Sequence, residues 1–194
     1  MNISRVSFKA NYIGPMAFLT KSSNANGSAA IVPGSFVELD PKNNIDVDSI
    51  ADVSANWGFF DSLAYDVFDD MERINKNLMR YKEDSKFYAM TLQQSNFEEL
   101  EPEKVLGVTE VSKKDESTIK INYLQVDPSN TRNKASAKFK RLGTNFLNYI
   151  KNIYPNNDIY LRSTDSAKKF YKFNGFVKFK KNTNEYIYRV KPKV

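Results

Sequence analysis

Residues 123–146, YLQVDPSNTRNKASAKFKRLGTNF, join a strand to an amphipathic helix through a basic loop. The strand covers residues 118–126. Ile119, Ile121 and Tyr123 alternate with Lys120 and Asn122, and then Leu124 and Val126 take over the apolar pattern. A side-chain period of two cannot change phase without an extra residue, so the pattern predicts a β-bulge near Tyr123 and Leu124. Pro128, which has no N–H for a ladder, closes the strand. Arg132, Lys134, Lys138, Lys140 and Arg141 follow with no acid among them. Phe139, Leu142, Phe146, Tyr149 and Ile150 recur at helical spacing and predict a helix over 138–153. A strand feeding a basic loop and a helix N-terminus can hold an anion, because backbone N–H groups and the helix dipole face it.

Upstream, residues 1–33 show no sustained periodicity and read as an N-terminal arm, with KSSNANGSAA (21–30) as a linker or mobile loop. Residues 6–12 could add a short edge strand. The domain proper is expected over 34–194. It begins with a strand at 35–40 and a short helix at 48–55. The helical pattern at 57–81 is the clearest in the chain: Leu63, Val67, Met71, Ile74 and Leu78 share one apolar stripe, with acids early and bases late, as the dipole favours. Strands at 86–92, 105–111 and 118–126, joined by short loops, predict an antiparallel meander. After the 138–153 helix come a strand at 158–162, a short helix at 163–174 stopped at Gly175, and a hairpin of 176–179 with 186–190. The fold class is α+β, a mixed and mostly antiparallel sheet of about six to seven strands with flanking helices.

Composition narrows the chemistry. Among 194 residues there is no Cys and no His, which excludes thiol nucleophiles, thiolate metal sites and the usual near-neutral base; no metal site is expected. The net charge of +6 is unevenly placed. Residues 1–127 hold 13 Lys/Arg and 20 Asp/Glu, whereas 128–194 hold 16 and 3. That asymmetry suggests an anionic ligand on the C-terminal third: nucleic acid, a membrane surface or a phosphorylated cofactor. Solvated surface lysines account for it as well. No apolar stretch approaches the ~20 residues of a membrane span, and the N-terminus makes a poor signal peptide, so a cytoplasmic protein is expected.

Two motifs resemble the GNAT (Gcn5-related N-acetyltransferase) superfamily. One is LQVDP at 124–128 with KFKRLGTNFL at 138–147; the other is STDSAKKFYKFNGF at 163–176. The resemblance implies a sheet splayed between strands 118–127 and 158–162, parallel neighbours linked by the 138–153 helix as a right-handed crossover. It implies acetyl-coenzyme A (CoA) as cofactor and a small-molecule or peptide amine as acceptor. Nucleic acid is not an expected partner, and the state is either monomer or homodimer. The backbone around Leu124, Gln125 and Val126 would meet the pantetheine arm and thioester. Lys138, Phe139, Lys140, Arg141, Leu142, Gly143 and Thr144 would form the pyrophosphate loop, with Thr164 where many members have Asn. Arg141 stands where the family has its first Gly; a negative φ there would leave the cradle intact, whereas a helix starting near Ser136 would abolish it.

Tyr171 matches the family's general acid for the departing thiolate; otherwise it is one aromatic among Phe170, Phe173 and Phe176. Glu110, in VTEV, could relay the amine's proton through water, or be a surface Glu on an alternating strand. Three functions follow: an N-acetyltransferase, a catalytically degenerate GNAT-fold binding module, or a nucleic-acid binder using the basic third. Against the last, the aromatic residues there sit at core spacings and offer no stacking platform.

Overall fold

In β1 (Asn11–Thr20), Gly14, Met16 and Phe18 are buried and the residues between them are exposed. This strand lies within the stretch that reads as an arm; it pairs antiparallel with β2 (Ile31–Leu39) and opens the sheet. Its Pro15 is tolerated because β1 is an edge along most of its length. Among the described residues only Leu19 and Thr20 have a partner on the far side, Lys140 and Phe139 of β6 (Phe139–Lys140). Tyr149 and Asn145 donate from the neighbouring helix to the carbonyls of Pro15 and Ala17, covering the bare edge.

The structure, a computed structural model, describes residues 10–21, 29–59, 62–78, 84–131, 135 and 137–190. Most of residues 6–12 and of the linker at 21–30 lies outside that set. The further elements are α1 (Asn44–Asn56), α2 (Leu63–Asn75), β3 (Lys86–Thr91), β4 (Val105–Lys113), β5 (Thr118–Val126), α3 (Leu142–Ile153), β7 (Asp158–Arg162), α4 (Lys168–Phe173), β8 (Val177–Lys178) and β9 (Glu185–Tyr188). The described strands form one nine-stranded sheet in the order β6-β1-β2-β3-β4-β5-β7-β9-β8, more strands than the sequence suggests. Its one parallel pairing is β5 with β7, as expected.

The helical stripe at 57–81 starts later than its periodicity implies. Trp57 caps α1, and Gly58 and Phe59 take φ of 103° and 45°, which breaks the chain before α2. Ser62 then caps α2, its hydroxyl accepting from the Tyr65 N–H at 3.3 Å.

Each face of the sheet has its own core. α1 and α2 cover one with Val47, Ile50, Val67 and Met71 over Val37, Phe87, Ala89 and Val108. α3 and α4 cover the other with Leu142, Phe146, Leu147, Ile150 and Tyr171 over Phe36, Leu106, Ile121 and Leu161. β4 lies between β3 and β5 with both faces covered, so every residue from Val105 to Val111 is buried. That overturns the surface reading of Glu110, which is 0% exposed.

Candidate active site

Pairing between β5 and β7 runs from Thr118 with Asp158 to Ile121 with Leu161 and then stops, although β5 continues to Val126. The strands part there. The cause lies in β5's other ladder, where Glu110 faces Tyr123 but Val111 faces Ile121, leaving Asn122 as the extra residue. The bulge is thus one residue earlier than the apolar pattern suggests. Asn122 is pinned in it: Nδ2 donates to Glu110 Oε1 at 2.8 Å and to Ser112 Oγ at 3.0 Å. Ser85 Oγ donates to the same Glu110 oxygen at 2.8 Å. A bulge increases local twist and bends the strand, which turns the end of β5 from β7.

A cavity of about 650 Å³ fills the gap. The side chains of Leu124 and Val126 pack on the α3/α4 core, as expected. The Asp127 N–H bonds the Leu106 carbonyl on β4, and directions alternate along a strand, so the Leu124 and Val126 N–H groups point to the unpaired edge, where Leu124 lines the cavity. Gln125 points to the opposite face, where its Oε1 accepts from the Ala64 N–H at the start of α2 at 2.9 Å.

Tyr171 lines the same cavity. Its ring is held edge-on by Phe170 and Phe176, with centroids 5.1 and 5.7 Å away. Burial pushes its hydroxyl up to about 12, so the group stays protonated across the neutral range. Thr164, exposed at the cleft wall, has its hydroxyl 3.2 Å from that of Ser166. Glu110 does not line the cavity; it stands behind Asn122, which does.

The basic loop divides in two. Asn130 Oδ1 accepts from the N–H groups of Lys138 and Phe139 at 2.8 and 3.2 Å, and Phe139 is buried beside Phe18. With Phe139 and Lys140 committed to β6, these backbones form no open cradle. The helix begins only at Leu142, not at 138 or near Ser136. Arg141 precedes it with φ 58° and ψ 25°, the left-handed conformation that glycine adopts most easily, so the negative φ that would leave the family's cradle intact is not adopted. No described side chain caps α3. Its first internal bond is Asn145 N–H to the Arg141 carbonyl at 2.9 Å, so the Leu142, Gly143 and Thr144 amides have no acceptor within the helix. A left-handed residue followed by such amides can form a concave anion site, and Lys138, Lys140 and Arg141, next to it in the chain, are exposed. Gly143 also lets α3 approach α4, since a Cβ there would lie 2.9 Å from Phe170 Cζ. These groups suit a ligand with an anionic end at α3 and an extended arm along β5, as CoA has. Among the described residues no cluster of carboxylates gathers to hold a metal.

No protein-family model matches the sequence, and no curated protein matches it. Solved structures do. A putative GNAT-family acetyltransferase from Desulfovibrio desulfuricans superposes with a TM-score of 0.53 at 15% identity, covering 81% of this chain and 99% of that one. Tetrahymena Gcn5 superposes with a TM-score of 0.52 at 12% identity, covering 82% and 98%. The chain has the fold of the GNAT acetyltransferases.

Proposed function

We propose that this protein transfers an acetyl group from acetyl-CoA directly to an amine. The observation that carries the reading is the parting of β5 from β7, with the uncapped α3 and Tyr171 at the same gap. The α3 amides, with Lys138, Lys140 and Arg141, would hold the pyrophosphate. The Leu124 and Val126 N–H groups would align the pantetheine arm and stabilise the oxyanion as the amine nitrogen bonds to the acetyl carbon. The carbon–sulfur bond then breaks, and Tyr171 protonates the thiolate. The amine gives its own proton to water. Glu110 acts here through Asn122, as a positioning residue. Radiolabelled acetyl-CoA with an amine panel tests the activity, and a rise in melting temperature with acetyl-CoA, smaller with dephospho-CoA, tests the phosphate contacts.

The binding-module reading has one observation in its favour: Asn130 already occupies two loop amides. A thermal shift without turnover on any amine would support it. Steep salt dependence of binding to DNA or RNA would support the nucleic-acid reading instead.

A further inference from the structure

The cleft opens on both faces of the sheet, and the two mouths differ in chemistry. Ile119, Ile121, Ile159 and Leu161 are buried in the α3/α4 core. Lys120, Tyr160 and Arg162 alternate with them and therefore project from the other face. Glu185, the register partner of Arg162, projects with them. All four line the cavity. No described residue of β7 or β9 joins the core under α1 and α2; Leu63, the first residue of α2, and Tyr123 are the lining residues at the side of this mouth nearest those helices. The other mouth, with Leu124, Ala167 and Tyr171, is the one α3 and α4 frame.

The mouth on the α1/α2 side is cationic. Neither Lys120 nor Arg162 forms an ion pair within 4 Å among the described residues. Glu185 is the sole carboxylate among the described lining residues. The Tyr160 hydroxyl beside it holds its carboxyl below the ordinary carboxylate range, with Lys180 and Arg162 nearby. Asn122 adds a neutral acceptor. Both its bonds to β4 are made by Nδ2, to Glu110 and Ser112, so its Oδ1 is turned away from β4 in a side chain that lines the cleft.

On the acetyl-transfer reading, we infer that the acceptor is an amine bearing an anionic group, a carboxylate or a phosphate, which Lys120 and Arg162 hold while Asn122 Oδ1 receives the amino group. A polyamine would set like charges against each other at this mouth, whereas an anionic amine gains two charge-assisted contacts. The acids of residues 1–127, which suit a cationic acceptor on composition, contribute no described residue to this lining.

Matched amines that differ only in the anionic group test the inference: ethanolamine with phosphoethanolamine, 2-phenylethylamine with phenylalanine, and cadaverine with lysine. Transfer is read as kcat/KM, and binding separately by saturation-transfer NMR, which needs no turnover. In at least one pair the anionic member should win by about tenfold or more, the worth of a charged hydrogen bond. Lys120→Met or Arg162→Met should remove most of that preference, Lys120→Arg and Arg162→Lys should retain it, and the thermal shift by acetyl-CoA should stay unchanged in all four. Equal or better binding of the member without the anionic group in every pair, no binding by any pair, or a preference that survives Lys120→Met with Arg162→Met would overturn the inference. Failure of acetyl-CoA to bind would instead overturn the acetyl-transfer reading, and the amine preference would still be read by NMR.

Discussion

The first four residues of β5 and the last five behave as two different structures. From Thr118 to Ile121 the strand has a ladder on each side, with β4 and with β7, and its apolar side chains fill a core. From Tyr123 to Val126 the ladder with β4 continues, but the other edge has no strand partner, and Asn122, Tyr123 and Leu124 line a cavity. One bulged residue separates the halves. A fully paired strand has no spare amide to offer a ligand, whereas a strand with one bare edge presents its donors in a row. The unpaired edge lies inside a cleft, where it is shielded from pairing with another chain.

Tyr171 offers the largest way to break that contrast, because on the acetyl-transfer reading it protonates the thiolate at the open half. Tyr171→Phe keeps the ring between Phe170 and Phe176, so stability near neutral pH should change by less than about 1 kcal/mol. Turnover should fall by roughly 10²–10⁴, the usual worth of a positioned acid, with acetyl-CoA affinity unmoved in a calorimeter. The folded hydroxyl titrates at about 12 against an ordinary value of 10.0. Its protonated form is therefore favoured by folding: that contribution is full below pH 10 and fades as the pH rises toward 12. The Phe variant should lack this alkaline loss. Full turnover in the variant would assign thiolate protonation to water and make Tyr171 a packing residue.

A smaller effect is expected at the anion site. Lys138→Ala and Arg141→Ala should each weaken acetyl-CoA binding by roughly 1.5–3 kcal/mol per charged hydrogen bond lost, and dephospho-CoA should show which charge meets the 3′-phosphate. Unchanged affinity in both would leave the site to Lys140 and the α3 amides.

The bulge itself comes next. Asn122→Ala removes two hydrogen bonds on β4, one of them to a buried carboxylate, and should cost about 1–3 kcal/mol in urea unfolding. If the bulge then closes, β5 and β7 would pair further and acetyl-CoA binding would fall with it. Unchanged stability and binding would show that the strand bends without Asn122.

How much of this was legible in the sequence depends on which residues carried the signal. The parting of β5 from β7 follows from a phase slip in apolar residues and from the motif resemblance, and both registered. The slip shows at Tyr123 and Leu124, whereas the inserted residue is the polar Asn122, whose reason for being there lies across the ladder at Glu110. Glu110 looked like a surface residue because a single strand's alternation does not reveal that both of its faces are covered. β1 lies in the stretch without sustained periodicity; what makes its Gly14 and Pro15 admissible is an edge position and the cover given by α3, neither of which is local. β6 spans two residues and has no periodicity to detect. In the site, Tyr171 and the β5 backbone stood out, while the tying of Lys138 and Phe139 to Asn130 depends on a loop folding back eight and nine residues.

The smallest effect is expected at Arg141, and it sharpens the contrast between structure and function within one residue. A non-glycine residue held at φ 58° costs about 1–3 kcal/mol, and its side chain makes no capping bond to offset that. Arg141→Gly removes the strain but frees the unfolded chain, which costs roughly 0.5–1 kcal/mol. The balance should be a gain of about 0–2.5 kcal/mol, a rise in Tm of up to roughly 10 °C for a chain of this size. Acetyl-CoA affinity should move the other way, since the guanidinium is lost while the α3 amides remain. A variant both more stable and weaker in binding would mark Arg141 as a residue kept for its charge against the preference of its backbone. A variant less stable than the parent would mean that Arg141 holds the start of α3 through packing, and the phosphate role would then rest on Lys138, Lys140 and the helix amides alone.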